Sequence, residues 1–286
     1  MVLPPVGVIA VFIGFPVVAA IAYTLGRAGG PNSVVASLGQ RQFIVHHGVT
    51  LGAYRDILGN KTIHRDLWAT CWVTIVVTIV VVAASWAIAL YLRFTDTWVA
   101  RIISALSVVP LFIPVVIASY AILVFYASDG FIKSIAYHHG YHGFPTLGYT
   151  LTCVVLGLIW VNIPFGVLMM SSGLQGVPDN LIEAGRDAGA GFPRVVRSIL
   201  LPMNLIPTVI VATFTAIYCL GSFTVPYLTG PTAPNLLGPS MSNFFSAFNQ
   251  PQQAEVLAMV VFALALGIGA AYVWANVRAG KRSGVA

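Results

Sequence analysis

Six apolar runs, each close to the length of a bilayer crossing, constrain this chain more than any other feature. They cover about 2–25, 67–92, 102–126, 147–170, 202–225 and 255–275. A helix needs roughly 20 apolar residues to cross the hydrocarbon core. Backbone groups in lipid find no water, and a helix satisfies them within one segment. The chain is therefore expected to be an all-α polytopic membrane protein with about six transmembrane helices. Its charge content agrees: 8% of residues are charged, against about 25% in soluble domains.

An even number of spans puts both termini on one side. Eight of the 14 Lys and Arg residues lie in the short loops 93–101 and 171–201 and in the tail, namely Arg93, Arg101, Arg186, Arg194, Arg197, Arg278, Lys281 and Arg282. Most of the others fall in one long segment, 26–66. Short basic loops orient a membrane protein, and long ones count less. Both short loops and both termini are thus expected in the cytoplasm. The net charge of +6 reads as an orientation signal, with no nucleic acid implied. No basic residue precedes the first run, and Pro4 and Pro5 stand at its start, so it reads as a span rather than a signal peptide. The expected organisation is a first transmembrane helix at 1–25, an outer loop at 26–66, a core of five spans at 67–276 and a basic cytoplasmic tail at 277–286.

The polar stretch between the fourth and fifth runs has helix signals of its own. Asn180 can cap a short helix, and Glu183 can reach back to the cap's N–H. Gly189 and Gly191 can end it, and Pro193 suits the first turn of a second helix over about 193–201. That second helix puts Val195, Val196 and Ile199 near one face and Arg194 and Arg197 near another.

The spacing in this stretch is specific. Glu183-Ala184-Gly185, three residues, Gly189, nine residues, then Ile199-x-Leu201-Pro202 resembles the cytoplasmic EAA loop of permease subunits in binding-protein-dependent ABC importers. The usual pattern has a second alanine where Gly185 stands, and glycine costs ~1 kcal/mol relative to alanine within a helix. The resemblance extends over 51–274 in layout. Tyr54 sits in a short amphipathic piece, 51–58, similar to the family's x-Asn-Tyr-x-x-Leu segment, with Ala53 in place of Asn. Gly221-x-Phe223-x-x-Pro226-x-Leu228-x-Gly230 is similar to the subgroup that imports polyamines.

The resemblance implies the type I ABC importer permease arrangement in the inner membrane. It implies a coupling loop at 171–202 that docks on a cytoplasmic ATPase through Glu183, Ala184, Gly185, Asp187, Gly189, Ile199, Leu201 and Pro202. The implied partners are a second permease chain (a paralogue or a second copy), two ATPase subunits, an external substrate-binding protein and the surrounding lipid. ATP and magnesium are expected on the ATPase, with no cofactor in this chain. A plainer reading of Glu183 is a capping-box residue on a solvated loop.

Polar side chains inside the runs are candidates for a solute pathway: Ser119 and Tyr120 in the third, Asn162 in the fourth, and Thr215, Tyr218 and Ser222 in the fifth. The last three are spaced to share a helix face. Such groups either bond between helices or line a polar route. The runs contain no deep carboxylate, and Glu255 stands at the edge of the sixth. Either the solute is not strongly cationic, or the partner permease supplies the charge, or specificity resides in an external binding protein. An ion-gradient-driven transporter, with intramembrane acids or inverted repeats, is disfavoured. Gly280-Lys281 is followed by Arg282 rather than Ser or Thr, so no phosphate-binding loop is present. His138, His139 and His142 sit in a Gly-rich loop without interleaved Cys, Asp or Glu and read as an exposed polar loop rather than a metal site. Cys71, Cys153 and Cys219 read as small buried side chains. The function expected is therefore a permease subunit for a polyamine-like or other small polar solute, with a sugar or glycerol-phosphate importer as the alternative.

Overall fold

The computed structural model describes residues 6–8, 10–27, 39–45 and 47–282, leaving aside the side chains of Ala10 and of 275–282. The start of the first run at 1–5, the 28–38 part of the expected outer loop and the basic side chains of the tail lie outside the described residues. Every regular element described is helical. By length and composition, five helices can cross a membrane: Val6–Thr24, Lys61–Phe94, Val115–His138, Leu151–Gln175 and Pro251–Trp274. Phe192–Met203 and Leu205–Gly221 form a pair bent by 69°, which makes six spans among the described residues if the pair is counted as one.

The chain divides into two compact units. The first holds residues up to Thr70 together with Thr232–Ala265. Here α1 (Phe15–Thr24), α2 (Gly52–Leu58), the start of α3 (Lys61–Phe94) and the start of α14 (Pro251–Arg282) supply the core. Ala53 and Ile57 of α2 pack with Ile63, Leu237, Val256 and Leu257, all buried. The amphipathic piece at 51–58 is thus a helix with its apolar face inward, and Ala53 is fully buried. Gln252 holds the 39–45 segment in place: its amide accepts from Phe43 N–H at 2.7 Å and donates to Tyr23 O at 2.9 Å.

The 226–253 segment, between the fifth and sixth apolar runs, is largely helical. It contains α12 (Thr224–Thr229), α13 (Leu237–Ser242) and a π-turn, Asn243–Ala247. Within the first unit, Asp66 fixes α13, accepting the Asn235 N–H at 2.9 Å and the Ser240 hydroxyl at 2.6 Å. Those bonds explain how a carboxylate can be buried there at low cost.

The second unit covers Cys71–Pro231 and the end of the chain. Its centre is α7 (Leu151–Gln175), started by Thr150, whose hydroxyl accepts the Cys153 N–H. Small residues let neighbours approach α7 closely, as expected between helices in lipid. A β-carbon on Gly157 would meet Val225 at 2.7 Å, and one on Gly166 would overlap the Ser85 hydroxyl. Against α7 pack α4 (Trp98–Val108), α5 (Val115–Tyr126), α11 (Leu205–Gly221) and α12.

The run at 102–126 is not one kinked span. It breaks into α4, a 3₁₀ turn at Val109–Phe112 and α5, with Ile113 extended (φ −104°, ψ 121°). Pro114 accounts for the break, because proline disfavours helical geometry in the residue before it and removes the next N–H. Within the expected 127–146 loop, Phe131–His138 forms α6.

Candidate functional site

The Glu183 stretch forms α8 (Asp179–Asp187) and α9 (Phe192–Val195), followed by a π-turn at Val196–Leu200 and α10 (Leu201–Met203). Two expectations need correction. Asn180 is not the cap: Pro178 occupies that position, with no side-chain cap bond. Proline is tolerated at a helix start but not in its interior, so Pro178 sets the start two residues earlier, and the capping-box role of Glu183 lapses. Gly191 does not end the first helix; it stands at the N-cap of α9. Gly189 does end α8. Its φ is +79°, a backbone shape that glycine adopts without a β-carbon clash. Gly189 N–H donates to Arg186 O and Ala190 N–H to Gly185 O, at 2.8 and 3.0 Å. These are the paired bonds of a Schellman end.

The faces of α8 divide cleanly. Ile182 is buried and Gly185 half-buried. A β-carbon on Gly185 would lie 2.9 Å from Ile199 Cδ1 and 3.8 Å from Val195 Cγ2. Gly185 therefore faces the second helix, and its lack of a side chain lets the two helices approach. Asn180, Glu183, Ala184 and Asp187 share the opposite face and are exposed. Glu183 and Asp187 make no hydrogen bond or ion pair with the described residues. On α9 and its π-turn, Val195 and Leu200 are buried, Val196 and Ile199 half-buried, and Arg194 and Arg197 exposed, in line with the face assignment. Leu201 and Pro202 are exposed.

The fifth span begins at Leu205, not at Pro202, because Asn204 interrupts the helix where the 69° bend falls. Asn204 is fully buried. Its amide donates to Met170 O at 3.4 Å, while its backbone carbonyl accepts the Thr208 hydroxyl at 2.7 Å. Trp86 of α3 donates to that same Thr208 hydroxyl at 3.0 Å. No periodicity in the sequence marks Asn204. Its one signal is a polar residue just inside an apolar run.

Arg93 and Phe94, at the end of α3, carry no local signal either. Arg93 donates to Leu174 O at 3.2 Å and to Val177 O at 3.1 Å, and it pairs with Asp179. Phe94 meets Phe192 edge-to-face, with ring centroids 5.3 Å apart. The Arg186 guanidinium lies 5.7 Å from the centre of the Phe94 ring.

The pathway candidates do not form one surface. Ser119 and Asn162 are buried, and each bonds a carbonyl of its own helix: Ser119 to Val115 O and Asn162 to Leu158 O, both at 2.7 Å. The fifth-span stripe is split. Thr215 and Ser222 are buried, Tyr218 is 39% exposed, and Ser222 lies beyond the helix end with ψ 128°. The Thr215 hydroxyl is buried without a partner. Tyr120 is largely exposed.

Residues 63–279 match the family described as binding-protein-dependent transport system inner membrane component. The chain belongs to that family. The permease is 29% identical over 156 residues to the sulfoquinovosyl glycerol transport system permease protein SmoG of Agrobacterium fabrum, covering 52% of this chain and 50% of the relative. It is 26% identical over 174 residues to the xylose/arabinose import permease protein XacH of Haloferax volcanii, covering 58% and 55%. It is 25% identical over 134 residues to the spermidine/putrescine transport system permease protein PotB of Salmonella typhimurium, covering 46% and 47%. The permease spans about half the length of the curated relatives it matches. Its fold resembles that of a chain in a bacterial ABC transporter involved in import of the acidic polysaccharide alginate, with a TM-score of 0.77 at 13% identity over 98% of this chain and 94% of the other. The MetNI methionine ABC transporter is similar too, with a TM-score of 0.60 at 22% identity over 76% and 95%. The permease is thus an all-helical, multi-pass membrane protein with the fold of ABC importer permeases.

Proposed function

We propose that the permease forms half of the translocation pathway of an ATP-driven importer of small polar solutes and couples to separate ATPase subunits through α8. The carrying observation is the exposed face of Asn180, Glu183, Ala184 and Asp187, with two acids unpartnered among the described residues beside a nearly absent side chain. A partner groove can approach such a face closely and meet Glu183 with a donor. The 171–202 loop and both termini lie in the cytoplasm in this reading, in line with the short basic loops. A second permease chain completes the pathway, two ATPase subunits carry ATP and magnesium, and an external binding protein delivers the solute. Of the pathway candidates Ser119, Tyr120, Asn162, Thr215, Tyr218 and Ser222, only Tyr120 and Tyr218 are exposed among the described residues, and none of the six is a carboxylate. Such a set suits an uncharged polyhydroxy solute better than a dication, and two of the relatives are named for sugar-like solutes. A polyamine reading draws on the Gly221–Gly230 pattern and on the relative named for spermidine and putrescine.

The test is co-purification of the ATPase with the permease. Ala184→Trp puts a bulky ring on the docking face and should release the ATPase while the permease still inserts. Glu183→Ala should weaken docking by about 1.5–3 kcal/mol, the value of a hydrogen bond to a charged group. Wild-type retention in Ala184→Trp would overturn the reading. The solute class follows from identifying what co-purifies with the binding protein.

A further inference from the structure

We infer that Arg93 is a positioning residue for coupling: it makes the end of α3 and the end of α7 move with α8, so that displacement of the docking helix enters two spans at once. The inference rests on the docking role proposed for α8. Its ground is the convergence of three elements on one guanidinium. Leu174 is in the last turn of α7 and Val177 lies just past its Gly176 cap, a place where helix geometry leaves carbonyls short of intrahelical donors. Arg93 caps both, at 3.2 and 3.1 Å, while reaching Asp179 in the first turn of α8.

The relative weights matter. The Arg93 side chain is 18% exposed and the Asp179 side chain 72%. An ion pair open to water on one side contributes little alone, so the two carbonyl bonds hold the clamp and the ion pair aims α8. A planar fork of donors can serve all three acceptors at once. A lysine ammonium is a single point and cannot reach them together in one pose. Phe94 extends the attachment, carrying Arg186 of α8 over its face and Phe192 of α9 at its edge. Among the described residues, the hydrogen bonds, ion pairs and ring contacts from α3 to α8 and α9 all leave from Arg93 and Phe94. Asp179 and Arg186 are exposed too, but neither belongs to the set Asn180, Glu183, Ala184 and Asp187, so transmission and docking use different residues of the same loop.

That separation makes the inference testable apart from the docking reading. The assembled transporter, permease with its own ATPase subunits and binding protein, is reconstituted in vesicles, and the solute used is the one recovered from the purified binding protein. Wild type, Arg93→Gln, Arg93→Lys and Asp179→Asn are compared for ATPase retention and for solute taken up per ATP hydrolysed. Arg93→Gln should keep the ATPase bound and lower uptake per ATP by at least about fivefold, the low end of coupling between sites. Arg93→Lys should fall between Gln and wild type, and Asp179→Asn should lose less than Arg93→Gln. A purely local cap would lower thermal stability and leave uptake per ATP unchanged. Uptake per ATP within twofold of wild type in Arg93→Gln would overturn the inference, and so would release of the ATPase from that variant. If the Arg93→Gln permease itself fails to insert in the membrane, Arg93→Lys and Asp179→Asn decide by the same ratio: unchanged coupling in both overturns it. Failure of the docking reading looks different, because the ATPase would then stay with Ala184→Trp.

Discussion

A β-carbon placed on Gly173 would overlap the Asn204 Oδ1. The glycine of α7 and the asparagine at the 69° bend are therefore in direct contact, and the bend is seated where α7 has no side chain. Gly→Ala inside a helix ordinarily stabilises by roughly 0.5–1 kcal/mol. Here overpacking, at about 1–3 kcal/mol, outweighs that gain. Gly173→Ala should lower the thermal stability of the purified permease. Gly267→Ala, where nothing lies within 4 Å of the added carbon, should leave it equal or higher. Equal melting of the two variants would show that the Asn204 seat is loose.

The Gly185 contact gives a graded expectation. An alanine there meets only the far end of Ile199, which can swing aside. Gly185→Ala should therefore retain the ATPase and melt within about 1 kcal/mol of wild type, since helix propensity favours alanine by a similar amount. Gly185→Leu cannot be absorbed and should separate α8 from α9, exposing Val195 and Ile199. Faster hydrogen exchange across 179–200 in Gly185→Leu alone is the expected result.

Sidedness is open to chemical labelling. Asn180 and His47 are both exposed. In a background lacking Cys71, Cys153 and Cys219, a membrane-impermeant thiol reagent applied to intact cells should modify His47→Cys and spare Asn180→Cys. The reverse pattern would invert the proposed topology.

Thr215 and Tyr218 separate packing from pathway. The Thr215 hydroxyl is buried and partnerless, so Thr215→Val removes an unsatisfied group and should be neutral or stabilising. Tyr218 is partly exposed. Tyr218→Ala should cut uptake while the complex still assembles. Normal uptake by Tyr218→Ala and Asn162→Leu together would assign these positions to packing.

What could be read from the sequence follows from range. The apolar runs at 67–92 and 147–170 and the Gly189 end of α8 depend on a few neighbouring residues, and the helices Lys61–Phe94 and Leu151–Gln175 and the left-handed Gly189 appear where those residues put them. Facing of Val195 and Arg197 also follows from helix period alone. The break at Ile113 is half-visible: Pro110 and Pro114 announce a disturbance, but kink and break differ by what packs around them. Asn180 misleads because Pro178, two residues earlier, sets the helix start. Asp66, Arg93 and Asn204 could not be found by local pattern, since their partners Ser240, Val177 and Met170 lie 174, 84 and 34 residues away. Gly185 is placed by its motif, but which way it faces depends on Ile199.

The angle at Asn204 has a mechanical consequence for the proposed coupling. Two arms bent by 69° from one line, moved as stiff pieces in the coupling proposed above, would make a bell crank, which turns a push on one arm into a swing of the other about a pivot. At 1.5 Å per residue, the Phe192–Met203 arm is roughly 18 Å long and the Leu205–Gly221 arm roughly 26 Å. The longer arm's tip then travels about 1.4 times as far as the shorter one's for the same rotation, so a shift of ~2 Å at the membrane surface becomes ~3 Å at the far end of the fifth span. The leverage would hold only while the pivot is stiff, and the close seat of Asn204 against Gly173 is the contact that would brace it.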